Sequence, residues 1–192
     1  MKFRLASLAV VAASLAFAAP ASAAEYDFDI KGAHASINFR IKHLGFSWLV
    51  GRFDKFNGTF NYDDKAPEKS SVKVEIDTAS INSNHAERDK HLRAEEFLDV
   101  AKFPKATFVS TSVTPEADGK AKITGDLTLR GVTKQVVIDA VTIGGGKDPW
   151  GGERVGFEGT TTFALTDFGI PKDLGPASKQ VEMTLHVEGV KK

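Results

Sequence analysis

Apolar side chains recur at every second residue in run after run of this chain, and that period leaves few folds open. Ile37, Phe39 and Ile41 alternate with Ser36, Asn38, Arg40 and Lys42. The pattern returns at Phe56, Gly58, Phe60 and Tyr62, at Val72, Val74 and Ile76, at Ile123, Leu127 and Leu129, and at Val136, Ile138 and Ala140. It comes back at Phe157, Thr161, Phe163 and Leu165, then at Val181, Met183, Leu185 and Val187. Successive side chains of a strand point to opposite faces, so each run reads as a strand with one apolar side. Turn signals separate the runs, among them "PEADGK", "RGVTK", "GGGKDPWGGE" and "PKDLGPAS". Eight or nine such strands predict an antiparallel all-β protein.

One-sided strands must turn their apolar faces toward one another, either as two sheets or as one sheet closed on itself. Several runs are long for a compact sandwich, which favours a barrel. About eight strands leave an interior that side chains fill or that holds one small ligand. Gly58, Gly125 and Gly159 fit the bends and bulges of a closed sheet. One stretch departs from period two: "NSNHAERDKHLRAEEFLD", from Asn82 to Asp99, predicts one inserted helix over about residues 84–99. Asn84 is its expected N-cap, with Glu87 completing a capping box. Pro104 ends the segment, and Glu87 with His91 and Asp89 with Arg93 form i,i+4 pairs in the favourable order.

The chain opens with Lys2 and Arg4, an apolar run from Leu5 to Ala19, and the small residues Ala21, Ser22 and Ala23. This reads as a secretory signal peptide, residues 1–23, cleaved after Ala23, and the expected location is the periplasm. Cutting 23 residues from 192 leaves 169, enough for one domain over 24–192. The two lost cations leave a net charge near −2, which argues against nucleic acid as a partner. Cysteine is absent, so neither disulfide nor thiolate chemistry is available.

His85 and His91 stand six residues apart, about 120° around a helix, so one metal ion cannot easily take both. No metal or cofactor is therefore expected. No serine lies in a Gly-x-Ser-x-Gly elbow, and "GGGKDPWGGE" lacks the Gly-Lys-Ser/Thr ending of a phosphate loop. What remains is apolar surface: 14 phenylalanines and two tryptophans, densest in "LGFSWLVGRF" from Leu44 to Phe53. Aromatics lining a long-stranded barrel would provide a lipid-shaped hole.

The motifs "HASINFRIKHLGFSWLVGRF", "NHAERDKHLRAEEFLDVAKFPKATFVST", "ITGDLTLRGVTK", "DPWGG", "DLGPAS" and "VEMTLHVEGV" resemble the YceI-like family of periplasmic polyisoprenoid-binding proteins, across the whole chain after the leader. A departure is Gln135, where members often carry proline. The resemblance implies a lipocalin-like antiparallel eight-stranded β-barrel and a cavity for a long isoprenoid, of polyprenyl or quinone type. It supplies no catalytic residues, so the chain is read as a carrier and not as an enzyme. The expected lining is Phe39, Ile41, Phe46, Trp48, Phe53, Phe60, Phe108, Phe157, Phe163 and Phe168. Arg88, His91 and Arg93 are expected at a polar head group, with Leu92, Phe97 and Leu98 bracing the barrel. Alternatives are a fatty acid or fatty amide as ligand, a lipid-modifying enzyme using His34 or His43, and a protein docking to a membrane partner through a patch around Trp150. An unpaired edge strand could also support a homodimer.

Overall fold

A computed structural model describes residues 23–192. The expected leader, save Ala23, lies outside the described residues. Eleven strand segments follow in order: β1 (Ala24–Phe28), β2 (Ala35–His43), β3 (Ser47–Phe53), β4 (Phe56–Tyr62), β5 (Ser71–Asp77), β6 (Ile81–Asn82), β7 (Lys105–Pro115), β8 (Lys120–Leu129), β9 (Val132–Lys147), β10 (Glu153–Ala164) and β11 (Gln180–Lys191). All pairings are antiparallel, and β1 pairs with both β4 and β11, which closes the ring β1-β4-β5-β7-β8-β9-β10-β11. This is the eight-stranded barrel.

The other three segments prolong that ring. Along one edge of β11, β1 covers Gly189–Lys191 and β2 takes over from Val187 to Val181, so β1 and β2 act as one strand interrupted at 29–34. In the same way β3 and β4 bend at Asp54 and Lys55, and β5 and β6 at a 3-10 turn over Thr78–Ser80. Apart from the first and last strands, which close the ring, every neighbour in the barrel is thus also a neighbour in sequence, an up-and-down meander. A 12-residue strand at about 3.3 Å per residue and a tilt of about 40° makes a barrel about 30 Å long.

The alternating residues turn inward as their period demands. Ile37, Phe39, Phe60, Ile76, Leu129, Ile138 and Val181 are buried, while Arg40, Lys73, Asp126 and Gln135 on intervening positions are exposed. Closure is helped by bulges opposite Gly125 and at Gly156/Phe157. Glycines also make room for rings: a Cβ on Gly125 would stand 2.4 Å from Phe108, and one on Gly51 2.3 Å from Phe39. Gly58 likewise faces the Phe28 ring. These strand glycines accommodate aromatic side chains rather than merely marking bends.

The inserted helix is shorter than expected. Helix α1 runs Ala86–Leu92, and its N-cap is His85, whose imidazole accepts from the Arg88 amide. Asn84 takes a left-handed conformation instead (φ 60°), which asparagine tolerates well. The capping reach-back is made by Asp89, which accepts from both the amide and the hydroxyl of Ser83 at 2.7 and 2.5 Å. Asp89 is therefore engaged away from Arg93, and His91 pairs with Glu96 rather than Glu87. After Leu92 the chain continues in turns, and Phe97 and Leu98 plug into the core.

Candidate functional site

The inward faces do not fill the barrel. They enclose a cavity of about 680 Å3 whose wall is overwhelmingly apolar. Of the ten residues expected to line it, Phe39, Ile41, Phe53, Phe60, Phe108, Phe157 and Phe163 do so. Three do not. Phe46 and Trp48 lie outside, on the hairpin that joins β2 to β3, and are 87% and 40% exposed. Phe168 is wholly buried in a 3-10 turn after β10, edge-on to Phe163 with ring centroids 5.0 Å apart, so it supports the wall from behind.

Strand parity explains the Trp48 difference. Phe53 and Trp48 are five residues apart on one strand, so both cannot face inward; Leu49, Gly51 and Phe53 hold the inner face. Phe28, Leu174 and Ile170 line the cavity and were not anticipated. The alternation of Tyr26 with Phe28 could have revealed the first. Ile170 and Leu174 sit in irregular chain, where no period exists to read.

The two ends of the cavity differ in charge. At the helix end its rim carries Lys42, His43, Arg88, His91 and Lys172; at the opposite end it carries Asp64, Glu116 and Lys120. Arg88 donates to the Ser83 hydroxyl and carbonyl at 2.7 and 2.6 Å. Glu96 pairs with His91 and, at 3.0 Å, with Lys172; hydrogen bonds from Lys172 and then His91 hold its carboxyl below the usual range. Arg93 does not reach the cavity. Its guanidinium donates to the carbonyls of Ala79 and Ile81, both at 2.7 Å, and ties the insertion to the β5–β6 bend. Leu92, Phe97 and Leu98 do line the cavity while bracing this end.

A second cluster lies on the outer wall where β1 breaks into β2. Arg154 reaches Asp29 and Glu188 at 2.6 Å and Asp148 at 2.9 Å, and His34 meets Asp29 at 2.8 Å. Hydrogen bonds from His34, then Arg154, hold the buried Asp29 carboxyl far below the ordinary value, and the three carboxylates raise Arg154. Asp29, His34 and Glu188 come close enough to suggest metal ligands. The Arg154 guanidinium, however, already satisfies the two carboxylates that a cation would need, so the cluster is a structural latch. His34 consequently belongs to the outside, and His43 alone of the two histidines considered for catalysis borders the cavity. Trp150 is 79% exposed beside Arg154, its ring 5.5 Å away.

Comparisons with known proteins agree with this architecture. Residues 28–189 match the YceI-like domain. The UPF0312 protein of Shewanella putrefaciens (strain CN-32) is 56% identical over 192 residues, all of both chains. That of Shewanella sp. (strain ANA-3) is 56% identical over 184 residues, 96% of each. Among solved structures, the YceI protein of Campylobacter jejuni superposes with TM-score 0.73 at 30% identity, over 79% of this chain and 90% of that one. A polyisoprenoid binding domain from Saccharophagus degradans, at 15% identity, shares the fold with TM-score 0.63 over 87% of this chain and 98% of its own.

Proposed function

The chain belongs to the YceI-like domain family, and from that premise we propose that it is a periplasmic carrier holding one long isoprenoid chain inside its barrel. The observation that carries this reading is the apolar cavity of about 680 Å3, continuous from a cationic rim to the far end of the barrel. Its volume lies within the about 300–1,000 Å3 of ordinary ligand sites. Each 100 Å2 of lipid tail removed from water contributes about 2.5 kcal/mol, so burial alone supplies affinity without covalent or metal chemistry. The polyisoprenoid-binding description of the Saccharophagus domain of like fold supports the choice of ligand class. The amino-terminal leader supports export.

The rim suggests the ligand's orientation. A tail threaded toward Phe60 and Phe157 leaves its head among Arg88, His91 and Lys172, of which Arg88 has no carboxylate partner among the described residues. Arg93, committed to backbone carbonyls, has no part in that site. Organic extraction of the protein purified from its native periplasm, followed by mass spectrometry, tests the proposal. A stoichiometric isoprenoid is the expected result. A fatty acid or fatty amide in its place would keep the carrier and replace the ligand class. An empty extract, together with no uptake of added isoprenoid, would overturn the reading.

A further inference from the structure

The hairpin between β2 and β3 is the least buried apolar feature of the barrel. It turns through Leu44 and Gly45, with φ of 52° and 84°, and projects Leu44, Phe46, Trp48 and Val50 at 61%, 87%, 40% and 61% exposure. Full burial of a side chain of this kind is worth about 1.5–3 kcal/mol, so four partly or wholly exposed on one projection mark an interaction surface. Leu44 also borders the cavity, which makes the apolar surface continuous from the hairpin tip into the barrel. Arg40 and Lys42 lie over the Trp48 ring at 4.3 and 5.5 Å. Glu182 answers Arg40, but Lys42 has no ion-pair partner among the described residues. Lys172 and His91 on the neighbouring rim share one carboxylate, Glu96.

We propose that this hairpin seats the mouth of the barrel on an anionic phospholipid bilayer. Phe46 and Leu44 enter the interface, Trp48 lies at headgroup depth, and Lys42 and Arg40 face the phosphates, the arrangement that aromatic and basic side chains adopt at membrane surfaces. A lipid then passes between bilayer and cavity along the apolar path through Leu44 without crossing water. The inference rests on the carrier reading, since it gives the cavity its source of ligand. A second copy of the chain fits less well: four side chains on one hairpin fall short of the roughly 800 Å2 per partner of a stable complex. The free edge of β3, paired to β6 only at Arg52 and Phe53, is where such a copy would add.

The test uses the mature chain and vesicles of phosphatidylcholine with or without phosphatidylglycerol. Sedimentation with the phosphatidylglycerol vesicles is expected, weakened by salt, with a blue shift of Trp48 emission in a Trp150→Phe background. Phe46→Asp should reduce binding by about ten-fold or more, and Lys42→Glu should reduce both binding and its salt dependence. Phe46 is almost fully exposed, so these variants remain folded. Equal sedimentation of Phe46→Asp and wild type, or none by either, would overturn the docking role. So would a concentration-dependent dimer that Phe46→Asp dissolves, which would assign the hairpin to a second copy. Uptake of a fluorescent geranylgeraniol from detergent solution reads the carrier function separately: its failure removes the carrier, whereas its persistence without vesicle binding removes only the docking.

Discussion

The two ends of this barrel solve opposite problems. At the β1 end, Tyr26 stacks on Phe60 at 5.0 Å, Phe157 meets Phe60 edge-on at 5.5 Å, and Arg154 latches the break between β1 and β2 from outside. Those inner residues come from regular, ring-closing strands. At the helix end the wall is made of irregular chain: the insertion after β6, the turn around Phe168, and the segment that carries Ile170 and Leu174. It is held by side chains that satisfy carbonyls, Arg93 on Ala79 and Ile81, Arg130 on Gly169 and Glu95, and Ser178 on Lys42. One end thus draws its order from ladder bonds and ring packing, while the other adds individual polar contacts to the core packing of Phe97, Leu98 and Phe168. Such contacts open locally at less cost than a strand ladder does, which suits the end where a ligand must enter.

That contrast can be broken most severely at the aromatic end. Phe60→Ala should destabilise the whole barrel by about 3–5 kcal/mol, seen in denaturant unfolding, because it removes the ring shared by Tyr26 and Phe157. Gly125→Ala, whose new methyl would meet the Phe108 ring and the Val109 carbonyl, should cost about 1–3 kcal/mol in the same measurement. Arg93→Ala should cost about 1–2 kcal/mol and act locally: hydrogen exchange should quicken across residues 83–104 while the strands of the β1 end stay protected. Uniform loss of protection would show that the two ends unfold as one unit.

Acid sharpens the comparison further. The folded Asp29 carboxyl is held below its unfolded value, so its contribution to stability is fully present above about pH 4 and is lost as pH falls toward the folded value. Unfolding of wild type should therefore become easier below about pH 4, and Asp29→Asn should lower stability near neutrality while flattening that slope. A slope unchanged by Asp29→Asn would place the acid sensitivity elsewhere, with Asp89 the next carboxyl to replace: burial would raise it, but the Ser83 donors together with the nearby Arg93 and Arg88 hold it low. Smallest of all, Phe46→Ser should leave the unfolding free energy within about 0.5 kcal/mol of wild type, since the ring packs against nothing that folding needs.

Period two was legible throughout, from Ile37 and Phe39 on β2 to Val181 and Leu185 on β11, because a strand with one wet face must write its burial into alternate positions. The all-β class, the closed sheet and seven of the ten lining residues follow from that pattern together with the family resemblance. Where regular structure stops, the inference stops. Asn84 could cap a helix or enter the left-handed region, and the Asp89 contacts to Ser83 settled it. Phe46 and Phe168 are as apolar as Phe39, but a hairpin tip projects one and a turn seals the other.

Composition and alternation determine which faces need covering; they carry no term for what covers them. The pairing of β1 with β11, the latch around Arg154, the cations gathered at one rim and the exposed hairpin beside them bring together residues more than a hundred positions apart, such as Asp29 with Arg154 and Arg40 with Glu182. Those juxtapositions arise from closing the sheet, whose shear and curvature depend on every strand at once, and so they exist only in the tertiary structure.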